Sequence, residues 1–98
     1  MDKEVSEWVS GFNEEALFAD GFEDAFVGVI ERFGQDPITV YDREKCIAIL
    51  MEQFDDDNDE ERDLYEEAEE YFGYNVIGAW VGEQTPMFLT RGEDLYGV

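Results

Sequence analysis

Apolar residues recur along most of this chain at helical spacing. Val5, Trp8, Val9 and Phe12 fall at i, i+3, i+4 and i+7, one face of a helix. Gly11 weakens the end of that helix, and Asn13 is placed to cap a short second turn through Glu14, Glu15, Leu17 and Phe18. The strongest pattern comes next. Phe22, Ala25, Phe26, Val29, Ile30 and Phe33 predict a second helix, with Asp20 and Asp24 near its N-terminus, Arg32 in its last turn and Gly34 as its stop. Asp24 and Glu31 would project from its opposite side. Pro37 forbids helical continuation, and Ile38-Thr39-Val40-Tyr41 has the β-branched and aromatic content of a short strand or extended link. Asp42 is positioned to cap a third helix whose Ile47, Leu50, Met51 and Phe54 face inward. A fourth helical beat runs through Leu64, Tyr65, Ala68, Tyr71, Phe72, Asn75, Val76 and Ala79, with Gly73 and Gly78 as candidate breaks. Pro86-Met87-Phe88-Leu89-Thr90 reads as a strand able to pair with residues 38–41. The expected fold is α+β: one mainly helical domain over residues 1–98, with about four helices and a short two-stranded element.

Charge changes this picture. Asp and Glu number 27 against six Lys and Arg, with no His, for a formal net charge of -21. A disordered acidic tail would be poor in apolar and aromatic residues, whereas this chain is 44% hydrophobic and 15% aromatic, enough for one compact core. Self-repulsion on this scale opposes compaction and calls for a use. The single Cys46 excludes an intrachain disulfide and fits a reducing cytoplasm. Met1-Asp2-Lys3-Glu4 lacks the basic region and apolar run of a signal peptide. So negative a surface is pushed away from anionic lipid and from nucleic acid itself, so no membrane and no direct nucleic-acid partner is expected.

The charge is concentrated. From Asp55 to Glu70, 11 of 16 residues are acidic and only Arg62 is basic. Asp63, Glu66, Glu67 and Glu70 fall at i, i+3, i+4 and i+7 opposite the apolar stripe of the fourth helix, where the core should not notice their replacement. Neighbouring carboxylates on such a face lie about 5–6 Å apart at Cβ, a spacing comparable to that of phosphates along a DNA strand. The ordinary reading is a solvated helix face, but like charges at i, i+4 destabilise a helix and almost no Lys compensates them here. The candidate partner-binding residues are therefore Asp55, Asp56, Asp57, Asp59, Glu60, Asp63, Glu66, Glu67 and Glu70, with Glu14, Glu15, Asp20 and Asp24 as a second patch.

Other chemistry is sparse. Read from Asp55, calcium-loop positions 1, 3, 5, 9 and 12 would be Asp55, Asp57, Asp59, Asp63 and Glu66, but Glu60 replaces the turn glycine and Arg62 the apolar anchor. No His, no phosphate loop and no Cys pair is present, so neither an enzyme nor a cofactor is implied. Cys46 reads as a buried small apolar residue. Residues 75–83 mix small with large: Gly78 and Ala79 allow close backbone approach and Trp80 offers packing surface. This suits an intradomain seam or, alternatively, a homodimer or partner contact.

Arg32-Phe33-Gly34-Gln35, Tyr41-Asp42, Lys45-Cys46-Ile47, Glu67-Ala68-Glu69-Glu70-Tyr71-Phe72, Asn75 through Glu83 and Thr85-Pro86 together resemble a family of small, mostly uncharacterised bacteriophage proteins, over roughly residues 21–90. Residues 1–20 and 55–63 look like departures from the shorter family pattern. The resemblance implies phage origin and carries no catalytic motif. In size and charge the chain is also similar in physical type to phage DNA mimics that block restriction enzymes and to anti-CRISPR proteins. The expectation is an inhibitor in the host bacterial cytoplasm that binds a basic DNA-binding host protein or Cas effector complex by imitating duplex DNA. An acidic adaptor or assembly factor for a basic phage or host protein is the alternative, and a calcium-modulated module a third. Oligomeric state is left open.

Overall fold

The computed structural model describes residues 1–55 and 63–92. Helix α1 (Lys3–Ser10) opens on Asp2, whose carboxylate accepts from the Glu4 amide, and ends at Gly11. After a turn at Asn13 and a single 3-10 turn at Glu23–Ala25 come strands β1 (Phe26–Arg32) and β2 (Gln35–Asp42), then α2 (Arg43–Phe54), α3 (Leu64–Tyr71), a π-helical turn over Phe72–Ile77, and strand β3 (Met87–Leu89). The class is α+β, but the balance differs from expectation: the described residues hold three α-helices and a three-stranded sheet, ordered β1-β2-β3.

The second predicted helix does not exist. Its residues form the 3-10 turn and β1, closed onto β2 by the two-residue connection Phe33-Gly34, with Gly34 at φ 84° where an L side chain is strained. The misleading three-residue spacing has a structural cause. Phe26 pairs with Tyr41 and Val29 with Thr39, so one extra residue at Val27 bulges β1 and puts Phe26 and Val29 on the same face. Phe22 and Ala25 reach the same core through the 3-10 turn, in which the Ala25 amide donates to the Phe22 carbonyl. The first four positions of the helical apolar beat are thus satisfied by a turn followed by a bulged strand, whereas Ile30 and Phe33 are exposed. With no helix there, Asp20 and Asp24 have no macrodipole to complement. Val27, Val29 and Ile30 are β-branched and suit the pleat. Pro37 sits where β2 carries its own extra residue, between the pairs Ile30–Ile38 and Arg32–Gln35, one of the positions where a strand tolerates proline.

The expected pairing of the tail with residues 38–41 is present as parallel β2–β3, with Val40, Tyr41 and Asp42 opposite Met87, Phe88 and Leu89. The core gathers Ala25, Tyr41, Cys46, Ile47, Leu50, Ala68 and Phe72, with Met51 and Phe54 packed at its margin as the third predicted helix required. Tyr41 lies edge-on to Phe26 at 5.7 Å, and Phe72 edge-on to Phe88 at 5.0 Å. Two buried side chains of β2 fasten the segment before the hairpin: Thr39 donates its hydroxyl to the Leu17 carbonyl (2.7 Å), and the Tyr41 hydroxyl accepts from the Ala19 amide (2.9 Å). The first helix contributes less than its pattern promised, since Val9 is buried while Trp8 and Phe12 meet edge-on at 5.1 Å and stay about half exposed.

Truncating Phe72 to Ala should cost about 3–5 kcal/mol. Tyr41→Phe, which leaves the Ala19 amide without its buried acceptor, should cost about 1–3 kcal/mol. Urea denaturation followed by far-UV circular dichroism measures both.

Candidate partner-binding surface

Helix α3 holds its acids where the sequence pattern places them. Ala68 and Phe72 are fully buried, so Glu66, Glu67 and Glu70 stand exposed on the other side. Asp63 behaves differently. It is the N-cap of α3, its carboxylate accepting from the Glu66 amide at 3.0 Å, so it is tied to the fold rather than independent of it. Asp55 is exposed and marks the C-terminal end of α2. Asp56, Asp57, Asp59 and Glu60 lie outside the described residues, and with Asp57 and Asp59 go two of the five calcium-loop positions. Among the described residues, no group of three or more His, Cys, Asp or Glu is arranged to hold a metal ion.

The second patch is exposed as well. Glu14, Glu15, Asp20 and Asp24 all face solvent. Asn13 makes the predicted cap, its side chain accepting from the Glu15 amide, but only a turn follows before the chain extends to meet Thr39. Asn13 also donates to the Pro37 carbonyl at 2.8 Å, fixing the turn to the hairpin. This patch and the α3 face therefore sit on separate elements, each anchored independently to the core.

Glu69, which the pattern passed over, has a defined role. Arg43 at the start of α2 contacts Glu44 at 3.0 Å and Glu69 at 3.3 Å, with its guanidinium 5.6 Å from the Phe72 ring centroid. Tyr65 donates its hydroxyl to Glu44 at 3.1 Å. This cluster ties α2 to α3 and partly neutralises one flank of the acidic helix, leaving Glu66, Glu67 and Glu70 on the other. Tyr71 and Tyr74 flank those carboxylates, and Tyr74 is 79% exposed. The surface is therefore acidic and aromatic together.

At the end of β2, Asp42 performs two tasks. Its carboxylate accepts from the Lys45 amide as the N-cap of α2 and from Arg91 beyond β3. Burial alone would raise its pKa, but the Lys45 amide and the Arg91 guanidinium overcome that and hold it below the usual carboxylate range. Cys46 beside it is fully buried, and burial pushes its thiol up to about 12, which agrees with the inert role read from sequence.

Within residues 75–83, Val76 packs against the core, while most of the stretch is exposed. A side chain at Gly78 would come within 2.7 Å of the Tyr74 carbonyl, so this glycine serves its own turn rather than another backbone. Trp80 is 71% exposed. The helical beat assigned to Asn75 and Ala79 fails for the same reason: the chain widens into a π turn at Phe72 and stops at Gly78, leaving both residues in solvent. No described helix is long and apolar enough to cross a membrane. Comparison with protein-family models, with curated proteins and with solved structures finds no match to this chain.

Asp63→Ala should cost about 0.5–2 kcal/mol through loss of the cap, and Asp63→Asn far less, because Asn caps equally well. Thermal melts of the two variants separate capping from charge. For Asp42 the pH dependence has a definite sign. A depressed folded pKa contributes stability that is fully present above the unfolded value of about 3.9 and is lost as pH falls through the folded one. The stability difference between wild type and Asp42→Asn, about 1.5–3 kcal/mol for a charged hydrogen bond, should stay level from neutral pH to about 4 and shrink below it. Denaturant titrations across that range test this.

Proposed function

We propose that this protein is a phage-encoded inhibitor acting in the host cytoplasm. It occupies the phosphate-binding surface of a host defence complex, in the manner of a DNA-mimicking anti-CRISPR. The observation that carries this reading is the fixed, exposed row of Glu66, Glu67 and Glu70, on a helix pinned by Ala68 and Phe72 in a chain of net charge -21. A duplex carries one charge per roughly 1.7 Å of axis, and its binding proteins meet it with Lys and Arg. Carboxylates held at helical spacing offer those cations an alternative partner, and the net field accelerates the encounter. No catalytic step is needed; occupancy suffices.

A second reading, an acidic adaptor for a basic phage or host protein, draws on the exposed Tyr71, Tyr74 and Trp80. Aromatic side chains beside an acidic row suit recognition of a protein as well as exclusion of a nucleic acid.

DNA binding by an isolated Cas effector complex, with and without this protein, separates the two. Mimicry predicts competition that weakens steeply with salt, because exposed charge pairs are screened over about 8 Å at physiological ionic strength. A ternary complex with undiminished DNA affinity sinks it. Changing Glu66, Glu67 and Glu70 together to Gln, with Asp63 kept as cap, should lower inhibitory potency about tenfold or more, as expected for the loss of about 1.4 kcal/mol or more, and leave the fold intact.

A further inference from the structure

Away from the acidic helix face lies a surface that charge alone does not explain. A groove of about 450 Å³ opens beneath the hairpin tip, between Ile38 and Met87 of the sheet and Val76, Ile77 and Trp80 of the segment after α3. Its walls are themselves open to solvent: Trp80 is 71% exposed, Ile77 53% and Met87 50%. A site built for a small molecule encloses most of its ligand, whereas this one presents its apolar side chains outward. The apolar surface continues onto the sheet, where the exposed Ile30 lies opposite the half-buried Ile38 on the same face. Contiguous exposed apolar surface of this kind marks an interaction site, and a tryptophan at its edge is the residue type that most often anchors one.

Charge selects the occupant. A second copy of this chain would bring a further net charge of -21 to the contact. A segment carrying Lys or Arg gains instead from the field of the whole molecule. The groove rim bears Asp36 and Glu83 alongside Arg32, so cations flanking an apolar side chain would find carboxylates beside it.

We propose that the groove takes an apolar anchor side chain, flanked by Lys or Arg, from the basic protein whose cations engage the α3 carboxylates. The inference rests on the reading that the partner is a basic protein, and adds that recognition is not purely electrostatic. The partner is held twice: by charge at Glu66, Glu67 and Glu70, and by burial against Trp80, Ile77 and Met87. The second contact gives the complex a component of affinity that salt does not remove.

The chain has two tryptophans, so Trp8→Phe leaves Trp80 as the sole indole reporter. The probes are a short peptide of alternating Leu and Lys pairs, oligolysine of equal length, and the Leu/Glu counterpart. The Leu/Lys peptide should shift Trp80 emission to the blue and bind about tenfold or more tightly than oligolysine. In the otherwise unaltered chain, Trp80→Ala should weaken its binding by about tenfold or more, the scale of an anchor residue. Ile77→Ser, at a second exposed wall position, should weaken it independently. Equal binding of oligolysine and Leu/Lys peptide without a blue shift overturns the groove while leaving a basic partner standing. Failure of both cationic peptides to bind removes the basic partner and the groove together. Binding of the Leu/Glu peptide as tightly as Leu/Lys, or self-association of the protein at micromolar concentration, overturns the cationic occupant.

Discussion

Strand β2 carries the constraint on which the rest of the molecule depends. It is the middle strand of the sheet, and four consecutive residues from Thr39 to Asp42 are buried. Thr39 and Tyr41 hold the segment before the hairpin through its backbone, Tyr41 packs against Phe26 and Phe88, and Asp42 starts α2 while receiving Arg91. One short strand therefore connects both neighbouring strands, the N-terminal segment and the first turn of α2. Burying a polar atom without a partner costs more than the hydrogen bond returns when made. Thr39 and Tyr41 thus specify where the 17–19 segment lies more strictly than apolar packing would.

That interior must hold against unusual repulsion. With six cations for 27 acids, two ion pairs among the described residues bring elements together. Arg43 joins α2 to α3 through Glu69, and Arg91 returns the chain after β3 to Asp42. Exposed pairs are weak. The Asp42 pair is of another kind, since its carboxylate side chain is only 4% exposed and also caps a helix. Glu66, Glu67 and Glu70 are exposed on a helix held in place by Ala68 and Phe72. The helix forms because its apolar side is covered, which is how tertiary packing overrides like-charge cost.

Much of the acidic surface was legible, for a simple reason. A helix face is a local property, and the offset between Ala68/Phe72 and Glu66/Glu67/Glu70 needs only 100° per residue to deduce. Asp63 was misjudged because periodicity ignores ends: the residue that begins a helix uses its side chain on the backbone. Glu69 was passed over because its partner, Arg43, lies 26 positions earlier. Trp80 fits either an intradomain seam or a partner contact on sequence alone, and nothing local announces that the chain after Gly78 leaves it 71% exposed.

The sequence by itself determined the charge, the acidic side of α3, the cap at Asp42, the inward side of α2 and the strand character of residues 87–89, since each follows from residue type and near-neighbour spacing. Only the tertiary structure decided that residues 26–32 are a strand. Phe22, Ala25, Phe26 and Val29 do share the apolar side that their spacing implied, but a 3-10 turn and the bulge at Val27 bring them there instead of a helix. Periodicity reports which side chains must meet the core. Which backbone delivers them was settled by Thr39 and Tyr41 across the hairpin, because a strand is stable only through hydrogen bonds to a neighbour that local spacing cannot see.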